Sequence, residues 1–213
     1  VRLTPELFGL RTGGVPKNIG KKDIGYDAED LENALRLLLE DFDRFSGSEG
    51  YLYDLSEIMR QICSNYTVLK YHEVIDARDA KDLEAFRQAK EEFLNAFDVL
   101  NEVQKTRQNQ LAGEWIGKAQ DRAAEYDDFS KSTFEMNAKS LITTWGSSGG
   151  SLVDYGFRTY EGMFLDLIKS NWTEYLDQVE QNLIDGTAID VPSNTRGYIE
   201  KYWKWVIGDQ DYT

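Results

Sequence analysis

Residues 17–191 contain no proline, because Pro5, Pro16 and Pro192 all stand near the ends. Proline removes a backbone donor and clashes with the preceding helical turn, so a long interval without it leaves room for uninterrupted helices. The same interval is rich in Leu, Glu, Ala, Lys and Gln, which favour helix. Its apolar residues recur at steps of three and four, the helical period. Leu31, Ala34, Leu35 and Leu38, behind Asp27 as a cap and Asp30 in the first turn, predict a helix over 28–42. Leu52, Leu55, Ile58, Ile62, Tyr66 and Leu69 predict a second that runs to Ile75. Asp79 is the expected cap of a third, with Leu83, Phe86, Phe93, Phe97, Leu100 and Val103 on one face. A shorter helix is expected from Glu114, carrying Trp115, Ile116 and Ala119, and another from Ser130 to Thr144. The longest stripe runs from Phe157 through Tyr160, Phe164, Leu167 and Trp172 to Leu183, and Asp185-Gly186 ends it. A last helix spans residues 196–206 with Tyr198, Tyr202, Trp203 and Val206.

No run alternates apolar and polar residues over a strand length, and no fixed period repeats. The expected architecture is therefore all-α, a bundle of about six or seven helices over residues 26–213. Residues 1–25, with Thr12-Gly13-Gly14-Val15-Pro16 and a lysine-rich stretch, read as an irregular lead-in.

Charge and chemistry-bearing residues narrow the function. The net charge of −14 repels phosphate backbones and anionic membrane surfaces, so neither nucleic-acid binding nor membrane docking is expected. The longest uncharged stretch, 140–153, is polar and glycine-containing, so membrane insertion is not expected either. Cys63 is the sole cysteine and His72 the sole histidine, which excludes an internal disulfide, a cysteine-based zinc site and a multi-histidine centre. No metal or cofactor is expected. His72 follows the apolar stripe of the second helix and reads as half-buried, and Cys63 as a small core residue. Asp127-Asp128, Glu91-Glu92 and Asp41/Asp43 read as solvated faces or helix ends, and no spacing singles out a catalytic acid and nucleophile. There is no phosphate loop, nucleophile elbow or dinucleotide fingerprint. The chain's own motifs therefore define no catalytic residues.

The segment from Trp145 to Tyr155 stands apart. Gly146, Gly149 and Gly150 free its backbone, Trp145 and Tyr155 flank it with flat faces, and Asp154 adds an acceptor. That combination suits a sugar ring, apolar on its C–H face and hydroxylated at its edge. It equally suits a helix–helix turn whose aromatics only pack. The C-terminal Tyr198, Tyr202, Trp203 and Trp205 read as core. Asn171-Trp172-Thr173 is a formal glycosylation triplet placed mid-helix, where it is discounted.

Around this segment the sequence resembles a known family. Phe134-Glu135-x-Asn137-x-Lys139-x-x-Ile142-Thr143-x-Trp145-Gly146, followed by Leu152-x-Asp154-Tyr155 and Gly162, is similar to the C-terminal domain of the α-N-acetylglucosaminidases of glycoside hydrolase family 89. Tyr53-Asp54-Leu55-x-x-Ile58-x-Arg60-Gln61 and Leu111-x-Gly113-x-Trp115 match further family segments, so the resemblance spans roughly residues 24–206. It implies an all-helical domain partnered with a (β/α)8 barrel of the same polypeptide that holds both catalytic glutamates. This chain would then supply no catalytic residue and be inactive alone. It would lend pocket walls for a terminal α-linked GlcNAc of a heparan- or mucin-type glycan: Trp145 over a sugar face or its N-acetyl group, Tyr155 with a hydroxyl, Leu152 on the apolar side. Gly146, Gly149, Gly150 and Asp154 would shape the loop. Ser147-Ser148 replaces the family's usual proline-containing pair and the loop is one residue longer, which bears most on Leu152.

The chain begins at Val1 without a signal sequence, so a fragment or processed piece is expected, from a protein exported by a bacterium. The rival expectation is a non-catalytic helical module that binds carbohydrate or protein.

Overall fold

A computed structural model describes residues 26–146, 158–188, 195–210 and 212, with backbone alone for 195–199. Eight α-helices make up this part: α1 Ala28–Glu40, α2 Phe42–Phe45, α3 Glu49–Asp79, α4 Leu83–Lys105, α5 Ala112–Arg122, α6 Asp128–Ile142, α7 Ser170–Asp185 and α8 Thr195–Val206. A 3-10 turn, Gln108–Gln110, precedes α5, and a π-helical segment, Phe164–Lys169, leads into α7. Among the described residues the only β pairing is one parallel bridge, Leu111 to Glu161. The all-helical expectation holds. The helix not anticipated is α2, a single turn. The lead-in expected over 1–25 lies outside the described residues.

The core is built where the apolar stripes meet. Phe86, Phe93, Phe97 and Leu100 of α4 face Tyr71 and Val74 of α3 and Trp172, Tyr175 and Leu176 of α7, all buried. The rings of Phe93 and Phe97 pack edge-on at 5.0 Å, and Trp172 meets Phe93 at 5.2 Å and Tyr71 at 5.7 Å. Such perpendicular contacts align ring edges with ring faces and add to the burial of large apolar area. Outside the core, Lys90 bonds Asp177 and Glu180, Arg87 bonds Glu180, and Lys169 bonds Asp98, so charged pairs seal α4 against α7 and the π segment.

Capping explains several boundaries. Asp27 caps α1 as expected, accepting from the Glu29 amide at 3.0 Å. Asp79 does not cap the third stripe. Arg78 engages its carboxylate at 2.7 Å, α3 runs on to Asp79 itself, and Lys81 turns the chain with φ +56°. The cap is Asp82, which accepts from Ala85 N at 3.0 Å one residue before the first core phenylalanine. Gly186 ends α7 in the left-handed conformation, φ +63°, as its sequence position predicts.

Candidate functional site

The site begins at the C-terminal end of α6. Asp127 caps this helix, accepting from Ser130 N at 2.8 Å. The helix stops at Ile142, two residues before the expected Thr144, because Thr143 leaves helical geometry. The Thr143 hydroxyl donates back to the Lys139 carbonyl at 2.7 Å, and the Trp145 amide reaches the Ser140 carbonyl at 2.8 Å. Trp145 adopts φ +54° and Gly146 φ +151°. Left-handed backbone disfavours a side chain, and Trp145 is neither glycine nor asparagine, so this turn is held against local preference. What holds it is a small polar knot. The Ser140 hydroxyl accepts from Gly146 N at 3.0 Å, and the Thr144 hydroxyl donates to Gly146 O at 2.9 Å. The outcome is a tryptophan 42% exposed at a helix end whose threonines are fully buried.

Of the residues expected at the site, Trp145 and Gly146 are thus placed together by this turn. Gly149, Gly150, Leu152, Asp154 and Tyr155 lie outside the described residues.

The chain is described again from Arg158, and its return to the bundle is pinned at several points. Gln104, fully buried on α4, donates to the carbonyl and hydroxyl of Thr159 at 3.2 and 3.0 Å. Glu161 N donates to Gln110 O at 2.8 Å, and Ala112 N to Glu161 O at 3.3 Å, which forms the lone bridge. Asn101, also buried, accepts from Gly162 N at 3.0 Å. Gly162 sits at φ +81°. This corrects the expectation of a helix continuous from Phe157. Residues 158–160 are not helical: the Thr159 carbonyl bonds Gln104 of α4, Glu161 pairs with the Leu111 segment, and regular helix resumes only beyond Gly162. Asn101 and Gln104 were not singled out from sequence. The available signal was their spacing, which extends the Phe93, Phe97, Leu100 stripe with polar side chains.

The motif around Trp145 also contains Lys139, whose side chain is fully buried. Its ammonium bonds Glu135 at 2.6 Å and the Gly208 carbonyl at 2.6 Å, and lies 5.7 Å from the Trp205 ring centre. Burial raises the Glu135 carboxyl, but the bonds from Lys139 and Gln120 outweigh it and hold the group below its ordinary 4.5. Trp115, from the second matching segment, donates its indole N–H to Ala138 O at 2.8 Å and ties α5 to α6. Tyr202 and Trp205 are core, as expected; Tyr198 has no described side chain. Asn171 and Trp172 are buried in α7, so the glycosylation triplet is not presented at the surface.

Among the described residues no other constellation competes. His72 is half-buried beside Tyr71, their rings 5.6 Å apart. Burial pushes the Cys63 thiol up, away from a reactive thiolate. Among the described residues no cluster of three or more His, Cys, Asp or Glu could hold a metal ion. None of their helices is long and apolar enough to cross a membrane.

Bundle and site together define an all-helical domain with an aromatic turn, around which the described residues organise no acid–nucleophile pair. Comparison with known proteins makes this specific. The family model of the α-N-acetylglucosaminidase C-terminal domain matches residues 3–213, and the chain belongs to that family. It is 28% identical over 173 residues to human α-N-acetylglucosaminidase, covering 79% of this chain and 22% of the human protein. A Clostridium perfringens family 89 glycoside hydrolase, solved as a double glutamate-to-glutamine variant with its substrate GlcNAc-α-1,4-galactose, superposes with a TM-score of 0.80 at 30% identity. That match covers 90% of this chain and 22% of the hydrolase. The same clostridial family 89 enzyme bound to 2-acetamido-1,2-dideoxynojirimycin matches at a TM-score of 0.79 and 30% identity, over 95% of this chain and 22% of that one. The chain thus spans about a fifth of the relatives it matches.

Proposed function

We propose that this domain completes the substrate pocket of a longer glycoside hydrolase that removes terminal α-linked GlcNAc from glycans, acting beside a (β/α)8 barrel of the same polypeptide. The observation that carries the reading is Trp145. A half-exposed tryptophan is held on disfavoured left-handed backbone, inside the very motif that resembles the family's pocket segment. Backbone strain persists where surrounding bonds enforce it, and such sites concentrate where function needs a particular side-chain direction. Trp145 stacks on the sugar, with Tyr155 and Leu152 completing the wall. The barrel supplies the two glutamates, one as nucleophile and one as acid/base. Phe134 and Leu141, two turns apart on α6 and both exposed, belong to the face that the barrel covers. The parent is an exported bacterial protein, since its glycan substrates lie outside the cell.

The reading is tested by assaying the chain alone and with its natural upstream sequence on an aryl α-N-acetylglucosaminide. The expected result is turnover by the longer form and none by the chain. A folded longer form without activity would instead favour a carbohydrate-binding module.

A further inference from the structure

The residues after α8 carry no motif, yet they touch both flanks of the Trp145 segment. On one flank, Lys139 of α6 holds the Gly208 carbonyl, six residues before the Trp145 turn. On the other, Tyr212 lies over the point where residues 158–162 rejoin the bundle. Its hydroxyl donates to Asp166 at 2.6 Å and accepts the indole N–H of Trp205. Burial, and the Asp166 carboxylate beside it, push this hydroxyl above its ordinary range, so it remains a donor.

Two glycines make room for the residue. A Cβ on Gly162 would lie 2.5 Å from Tyr212 Cδ1, and a Cβ on Gly113 would lie 2.3 Å from the Tyr212 carbonyl oxygen. Both distances are impossible for real atoms, so only glycine permits this seat. Gly113 neighbours Ala112, whose amide holds Glu161, and Gly162 is the residue that Asn101 holds. The tail is therefore a strap that is tied to α6 at Gly208 and wedged at the return of the segment by Tyr212.

We propose that Tyr212 is a positioning residue for the sugar pocket. Seated on Gly113 and Gly162, it fixes the return flank relative to the α6 end that presents Trp145. The inference rests on the pocket reading above. In the full-length polypeptide, Tyr212→Ala should raise KM for an aryl α-N-acetylglucosaminide about tenfold and leave kcat within about threefold. Tyr212→Phe keeps the ring in its seat and should hold KM within about threefold of the parent value. Gly113→Ala favours helix locally but evicts the tail, so it should reproduce the KM rise. The double variant Gly113→Ala/Tyr212→Ala should be no worse than either single change, since both remove one contact. A residue that merely supports folding would lower the active fraction, giving reduced kcat with unchanged KM, and that result would overturn the proposal. Gly113→Ala keeps the test open should Tyr212→Ala not fold. Trp145→Ala is the control. If it weakens kcat/KM while Tyr212→Ala leaves KM alone, the strap fails and the pocket stands; if it has no effect, the pocket reading itself fails.

Discussion

In the full-length polypeptide, Trp145→Gly should lower kcat/KM on an α-GlcNAc substrate by on the order of 100-fold while changing stability by less than about 1 kcal/mol. The two halves of this result have separate causes. Trp145 sits at φ +54°, where an L side chain costs about 1 kcal/mol and glycine nothing. That relief offsets the loss of packing from a side chain that is already 42% exposed. The activity loss comes from removing the flat face proposed to meet the sugar. Trp145→Ala should show a similar kinetic loss without the backbone relief, so it should melt below the glycine variant. Steady-state kinetics and thermal melting of the two variants check both halves. Normal kinetics with a lowered melting temperature would assign the tryptophan to packing alone.

Lys139→Met should destabilise the domain by about 3 kcal/mol at neutral pH. The substitution preserves the aliphatic stem but strips Glu135 and the Gly208 carbonyl of their buried cation. Removing the fully buried cation costs more than the pair contributes, because Glu135 keeps only its bond from Gln120 and the Gly208 carbonyl loses the ammonium. The pH dependence gives a second signature. Glu135 titrates below its ordinary 4.5 in the fold, so its contribution is present above that value and is lost as pH falls through the depressed one. The gap between parent and variant should therefore narrow progressively as pH falls below 4.5. Urea unfolding at pH 7 and pH 3.5 measures it. A gap of constant size would mean that Lys139 acts through packing rather than through Glu135.

Periodicity made the helices legible. The stripe Phe86, Phe93, Phe97, Leu100 is buried as its spacing predicts, and Asp27 caps where its position says it should. Where the sequence misled, one local signal had a competitor in the folded chain. Asp79 looks like a cap, but it is the last residue of α3 with its carboxylate on Arg78, and Asp82 caps the next helix instead. The stripe from Phe157 looks like a helix start, but Thr159, Glu161 and Gly162 give backbone groups to Gln104, Gln110, Ala112 and Asn101. At the site, the glycine–aromatic composition pointed to Trp145 and Gly146. The left-handed turn did not show, because Ser140 and Thr144 enforce it through bonds that only the folded turn creates. The buried Lys139 and the glycine seat of Tyr212 depend on a tail folded back onto residues distant in sequence, 69 apart for Lys139 and Gly208. No periodicity encodes such contacts.

A crystal structure of the full-length polypeptide with a terminal α-GlcNAc ligand bound in its barrel decides whether Trp145 meets the sugar. The Trp145 ring is expected within about 4 Å of the ligand. A ligand enclosed by barrel residues alone, with Trp145 packed away from it, would show that this domain lends the pocket no wall.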